Sequence, residues 1–429
     1  MNDWPTDRSA IAKQQLAMLR DLIDAITPGN AFYAKRLEAA GITAANLDSL
    51  EMFSAKMPFT TKQDLVEDQI SNPPYGTTLS FPLGDYTRYH QTSGTTTSPI
   101  RWLDTPDSWQ WMLENWGFVY EGAGIKADDV VMFTFSFGPF LGFWTAFECA
   151  TQRGYRCLPG GGLSTEGRLR MLVANEATVL CCTPTYAIRL AEAAGEFDID
   201  LTASKVRTVI VAGEPGGSVP AVRQRIESLW CGANVIDHHG MTEIGPVSYQ
   251  TVDQPSMLHL IESSYYVEIV NPDTGVAVSP GEVGELVLTT LGRIGSPLLR
   301  YRTGDLVKQT SEPVTGIDRQ DIALDGGILG RVDDMVVVRS VNVFPSAVEQ
   351  VVRLFEGVGE YQVHVHESRA MTELTMKLEP AEDCDSPAAL AERLQEKLRA
   401  ALAIRVPVEL VKPGTLPRFE MKAKRWVKM

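Results

Sequence analysis

The chain has 429 residues, more than one hydrophobic core normally serves, so two or more domains are expected. It carries a formal net charge of −15 with 44% hydrophobic and 22% charged residues. That balance is ordinary for a globular protein, and it leaves no basic face for nucleic acid, so an anionic ligand has to be drawn in by local cations and backbone amides.

The opening residues, MNDWPTDRSA, have neither a basic stretch nor an apolar run, and no secretory signal is expected. The stretch RSAIAKQQLAMLRDLIDAI puts Ile11, Leu16, Leu19, Leu22 and Ile23 on one helical stripe. From Val130 to Cys149 the chain is apolar enough to suggest a membrane span, but Gly138, Pro139 and Gly142 interrupt it. A buried strand, a turn and a helix beginning near Leu141 are predicted instead, and no membrane partner. From about Asp129 to Gly240, strand-like and helix-like runs alternate: DVVMFTF, FLGFWTAFECATQRG, YRCLPG, STEGRLRMLVANEA, TVLCCTP, TYAIRLAEAAGEF, VRTVIVAGEP, VPAVRQRIESLWCG and NVIDHHG. Continuous apolar strands alternating with helices predict a parallel sheet covered on both faces. Ligands of such sheets bind outside the carboxyl ends of the strands, which singles out the loops FSFGPF, PGGGLST, CTPTY, AGEPGG and HHGMTE.

After Pro255 two alternating runs separated by turn residues predict antiparallel strands. From Arg331 a tail of small-domain size reads β-α-β-β-α. The fold class expected is therefore α/β. A large N-terminal domain, residues 1–330, has parallel sheets covered by helices plus antiparallel strands, and a small α+β domain spans 331–429. The six cysteines show no C-x-x-C spacing, which predicts buried thiols in a reducing, cytoplasmic compartment and no disulfide framework.

Chemistry concentrates in a few stretches. HQTSGTTTSPIRW, His90–Trp102, packs hydroxyls around Gly94 but holds no lysine, so it is not a Walker A loop. It reads as an anion nest of backbone amides and hydroxyls, or as a Ser/Thr-rich linker. In DHHGMTEIGP, Glu243 is placed to ligate Mg²⁺ beside a phosphate site. His238 and His239 face opposite ways on an extended strand and are not expected to share a metal. His239 offers a flat ring to a base, or is a plain loop residue. In LLRYRTGDL, Asp305 follows a turn, where its carboxylate can accept from two ribose hydroxyls. Arg331, Asp333 and Asp334 form a charged hinge or a solvated linker. The basic end PGTLPRFEMKAKRWVKM either solubilises the chain or delivers Lys422 to a distant anion.

Taken together, these stretches resemble the adenylate-forming acyl-CoA synthetase superfamily, and within it the phenylacetate-CoA ligase branch. The likeness is read from about residue 85 onward. TSGTTTSPI is similar to that branch's S-S-G-T-T-G-K-P-T loop, and AGEP to G-A-E-P. HHGMTEIGP, PLLRYRTGDL, GRVDDMVVVRSVNVFPSAVE and PGTLPRFEMKAKR follow in the family's order.

The resemblance implies ATP-dependent activation of a carboxylic acid as an acyl-adenylate, then transfer to coenzyme A after the small domain rotates. It assigns Ser93, Gly94, Thr95 and Thr96 to the β- and γ-phosphates and Glu243 to Mg²⁺. Asp305, with Arg331 nearby, falls to the ribose. Gly213, Glu214 and Pro215, with His239, Gly240, Met241 and Thr242, fall to the adenosine side. Asp333 is implied as the hinge and Lys422 as the mobile catalytic lysine. Phe135, Phe137, Gly138 and Phe140, with Ile244, would line an apolar pocket for an aryl acid. A homodimer is the candidate assembly.

Several positions depart from the family pattern. Thr97 and Ser98 stand where the loop usually has Gly-Lys, Ser340 replaces a glycine beside the pantetheine tunnel, and Met421 replaces the glycine before the lysine. These keep two other readings open: transfer to an acceptor other than coenzyme A (an amine, a carrier-protein thiol or a small nitrogen nucleophile), or an inactive nucleotide-binding regulator.

Overall fold

The structure, a computed structural model, describes residues 5, 7–92, 99–135, 137–311, 319–338, 341–368, 371–419 and 423–428. Ser93, Gly94, Thr95, Thr96, Thr97, Ser98, Ser340, Met421 and Lys422, all singled out above, lie outside the described residues.

Five parallel strands form the centre, in the order Arg156–Pro159, Val130–Phe133, Val179–Cys182, Thr208–Val211 and Asn234–Asp237. Successive side chains of a strand point to opposite faces, so these apolar strands feed two cores. Val131, Phe133, Val179, Cys181, Ile210 and Ile236 join the helix Pro106–Gly122 on one face. Met132, Leu180, Cys182, Val209, Val211 and Val235 join Leu169, Leu172, Tyr186, Ile226 and Trp230 on the other. Burial on both faces is why these strands are continuously apolar rather than alternating.

The helices begin where local chemistry starts them. Ser164 caps Thr165–Ala174 through Gly167 N. Thr183 caps Pro184–Glu196 with proline at the first turn, where a missing N–H costs nothing. The helix expected near Leu141 instead runs Trp144–Gln152, because Gly142 takes a left-handed φ of +43° that a right-handed helix does not accommodate. Residues 134–135 and 137–143 are thereby left outside helix and strand at the carboxyl edge of the sheet.

The N-terminal helix Arg8–Ile26 buries Ile11, Leu19, Leu22, Ile23 and Ile26, but Gln15 in place of Leu16. The Gln15 amide donates to Glu262 O at 2.9 Å and Tyr265 O at 3.0 Å, which satisfies a polar group that the apolar pattern alone does not place inside. Tyr265–Val270, Val283–Thr290, Tyr301–Lys308 and Gly330–Arg331 form an antiparallel sheet in that order.

The C-terminal region has its own core around Val348, Val352, Tyr361, Met376, Leu394 and Leu398. Its hairpin Val358–Ser368 and Met371–Pro380 is flanked by two short edge strands that the β-α-β-β-α pattern did not include. Val408–Leu410 and Trp426–Lys428 pair with it in parallel. All six cysteines are free, and Cys231 is exposed rather than buried. No helix among the described residues is long and apolar enough to cross a membrane.

Candidate active site

The site gathers where the last parallel strand meets the antiparallel sheet. After Asp237 the chain turns through His238 and His239, and Gly240–Met241 folds back on Gly245–Pro246. Side chains from three places hold this turn. Tyr265 OH donates to Pro246 O at 2.7 Å and also lies 3.2 Å from Ile244 O. His239 N donates to Ser248 Oγ at 2.9 Å. Arg293 Nη1 donates to Glu243 O at 2.7 Å.

Arg293 is itself clamped by Asp104 through two 2.7 Å bonds, both side chains being 0% exposed. A buried bidentate pair of this kind fixes direction as well as charge. The turn that carries Glu243 is therefore anchored from the strand Arg101–Asp104.

The two histidines part company. His238 is buried against the Trp116 ring at 4.4 Å, its Nδ1 is 2.7 Å from Ser248 O, and burial pushes it down to about 3. His239 faces Asp305, with Nε2 to Oδ2 at 3.2 Å. Those two buried atoms are close but not aligned as a hydrogen bond, and neither has a hydrogen-bond partner among the described residues. The other Asp305 oxygen accepts from Arg331 Nη1 at 2.9 Å across paired strands. Gly304 lets this happen: its φ is +77°, and a Cβ there would stand 2.7 Å from the Arg331 guanidinium. Burial pushes the Asp305 carboxyl up, but His239 and Arg331 outweigh it and hold it below the usual carboxylate value. An ionised, buried acceptor beside an imidazole nitrogen is suited to paired hydroxyls.

Glu243 is buried, and its Oε1 lies 3.5 Å from Lys62 Nζ. Lys62 escaped the sequence reading. Thr61 and Asp64 form a capping box that starts the helix Lys62–Ser71, a local signal legible in the sequence. Nothing local says that this helix end lies against Glu243.

Beside the turn, residues 135 and 137–144 supply aromatic rings. Phe135 stacks on Phe143 at 3.9 Å, with Phe137 tilted 5.8 Å away and meeting Trp144 edge-on at 4.7 Å. The Phe140 ring lies over Gly138 and Gly142, where a Cβ would come within 2.6 and 2.8 Å of it. Trp144 Nε1 donates to Gly138 O at 3.0 Å. Ile244 is 0% exposed in the large-domain core that also holds Phe135 and Phe143, and Met241 packs half-buried against that core. Gly213 and Pro215 are exposed at the sheet edge, and Glu214 is half-buried between them. Asp333 is exposed, 3.8 Å from Arg331.

Residues 89–292 match the family described as AMP-binding enzyme, and residues 340–428 its C-terminal domain. The phenylacetate-coenzyme A ligase of Pseudomonas putida is 30% identical, over 96% of this chain and 93% of that protein. The chain belongs to the phenylacetate-CoA ligase branch of the adenylate-forming superfamily. The likeness to this ligase branch reaches well before residue 85, so the N-terminal helices that carry Lys62 are part of it. A crystal structure of a 2-hydroxyisobutyryl-CoA ligase in the postadenylation state, with its acyl-adenylate, matches at TM-score 0.93 and 28% identity, covering 98% of this chain and 90% of that one. The same ligase in its thioesterification state, 29% identical over the same shares of both chains, matches at 0.74.

Proposed function

We propose that this protein is an AMP-forming acid–thiol ligase that acts on an aryl carboxylic acid with ATP and coenzyme A. In the first half-reaction a carboxylate oxygen attacks the α-phosphorus. The bond to the bridging oxygen breaks, and pyrophosphate leaves with its electron pair. In the second, the coenzyme A sulfur attacks the acyl carbonyl, loses its proton, and AMP departs. Phosphoryl transfer of this kind needs positioning and charge neutralisation more than covalent help.

The observation that carries the reading is the buried pair Asp305 Oδ2 and His239 Nε2, 3.2 Å apart and lacking hydrogen-bond partners among the described residues. Ribose hydroxyls complete such a pair, with Arg331 holding the carboxylate from behind. His239 through Thr242, with Gly213 and Pro215, then flank the base.

One buried carboxylate plus substrate phosphates is a donor set that suits Mg²⁺, and Glu243 is the residue to hold it. When bound, the ion neutralises charge on the β- and γ-phosphates. Ser93, Gly94, Thr95 and Thr96 are assigned to cradle those phosphates by resemblance. Lys62 adds the cation that the loop itself lacks.

The Phe135, Phe137 and Phe140 cluster supports an aromatic acid. Residues 1–330 and 331–429 are read as the two bodies, with Asp333 at the hinge and Lys422 carried by the smaller one. The much better match to a postadenylation structure supports the arrangement that presents Lys422 for adenylation. The free thiols suit a reducing compartment and support a cytoplasmic enzyme.

The test is pyrophosphate release across a panel of aryl acids and small aliphatic 2-hydroxy acids, with and without coenzyme A. Acid-dependent release followed by a thioester product is expected. Release that needs no acid would overturn the reading. Adenylate formation with no thioester would move the second step to another acceptor.

A further inference from the structure

Glu214 follows the strand Thr208–Val211 at the carboxyl edge of the parallel sheet. By resemblance it belongs to the adenine side, but its carboxylate is committed elsewhere. Oε1 accepts from Thr185 N at 2.9 Å, and Oε2 accepts from Ala423 N at 2.7 Å. Thr185 lies in the first turn of Pro184–Glu196, where amides lack partners within the helix and negative charge is favoured. Ala423 directly follows Lys422 and is 209 residues away in sequence. One side chain thus ties a helix start of the large domain to the segment after the proposed catalytic lysine.

Two further contacts share this seam. Arg425 Nη1 donates to Thr185 Oγ1 at 3.3 Å. Arg425 is buried, doubly bonded to Glu360 at 2.7 and 3.1 Å, and lies 5.2 Å from the Tyr361 ring centroid. It is therefore a rigid arm of the C-terminal region. Gln350, from the helix Pro345–Val352, accepts from Ala221 N at 3.0 Å. That amide opens the helix Pro220–Leu229, whose N-cap Val219 has no side-chain acceptor to offer. The seam encloses a cavity of about 20 Å³ beside Thr185, Phe419 and Arg425, room for about one water.

These contacts are hydrogen bonds that water can replace at little net loss, so the seam is specific yet separable. The carboxylate matters for a reason of valence. It accepts two N–H groups at once, whereas an amide at the same place presents an N–H to one of them.

We propose that Glu214 is a positioning residue for the adenylation half-reaction. Its carboxylate clamps the Ala423 amide, fixes the segment that follows Lys422 against the large domain for adenylation, and lets go when the C-terminal region turns for thioester formation. The proposal rests on the ligase reading above, which wild-type activity tests separately.

The experiment compares Glu214→Gln with wild type in the two half-reactions: acid-dependent pyrophosphate exchange, and thioester formation from supplied acyl-adenylate. Exchange is expected to fall at least ~10-fold more than thioester formation, equivalent to ~1.4 kcal/mol, with the KM for ATP little changed. Thr185→Val, which removes only the Arg425 contact, should lean the same way more weakly, and it carries the test if Glu214→Gln does not fold. Equal losses in both halves would overturn the proposal. So would a KM for ATP and for adenylate that rise together, because the carboxylate would then be an adenine contact. A wild-type protein inactive in both halves would sink the ligase reading instead.

Discussion

Replacing Asp305 with asparagine tests the nucleotide site most directly. The side chain keeps its shape and an oxygen for Arg331, but loses its charge and gains an N–H toward His239. Two effects compete, and their sizes differ. The ion pair with Arg331 is 2.9 Å long, but the guanidinium side chain is 41% exposed, so its loss is screened and costs at most ~1 kcal/mol of stability. A hydrogen bond from a ligand hydroxyl to a buried charged acceptor is worth ~1.5–3 kcal/mol. Asp305 Oδ2 is buried and lacks a hydrogen-bond partner among the described residues, so the lost ligand bond should dominate. The expected result is a folded protein whose KM for ATP rises about 10- to 150-fold. The assay is pyrophosphate exchange against ATP and against its 2′,3′-dideoxy analogue, with thermal unfolding as the control for folding. Wild type should discriminate strongly between the two nucleotides, and the variant weakly. An unchanged KM for ATP in a folded variant would refute the argument and leave Asp305 as a structural clamp between His239 and Arg331.

Lys62→Ala should raise the KM for Mg·ATP about 2- to 5-fold, a screened contribution of ~0.5–1 kcal/mol from a part-exposed cation. A Mg²⁺ titration at fixed ATP should shift to higher concentration, and superimposable curves would remove Lys62 from the phosphate site. Asp104→Asn breaks a fully buried pair and should cost about 3–5 kcal/mol of stability. It should also weaken the response to Mg²⁺, because Arg293 then holds the Glu243 turn poorly; denaturant unfolding and the same titration read both effects. Burial pushes His90, His238 and His259 down to about 4, 3 and 4. The unfolded chain therefore binds more protons below about pH 6.5. Stability from neutral burial is complete above that pH and is lost on acidification toward the folded values. The unfolding free energy from denaturant titration should fall between about pH 6.5 and about pH 5 by up to ~2 kcal/mol per histidine, and a flat profile would show that the three rings are not held neutral.

Much of this protein was determined locally. Short two-sided apolar runs such as Val130–Phe133 and Thr208–Val211, alternating with helical runs, specify buried parallel strands, because helices then cover both faces of the sheet. Ser164 and the Thr183-Pro184 pair set helix starts through bonds only a few residues long. The order of strands and helices then put the loops around Phe135, Glu214 and Glu243 at one edge of the sheet before any contact was known. The register of Asp305 against Arg331, the burial of Gln15 and the approach of Lys62 to Glu243 belong to the tertiary structure alone. So do the clamp of Asp104 on Arg293, 189 residues apart, and the two-way bond of Glu214. These are pairings of polar groups distant in sequence, and charge or hydrogen-bonding capacity does not reveal its partner in a linear pattern. Only packing of the apolar cores brings such groups within 3–4 Å, and burial then makes each one find an acceptor or donor.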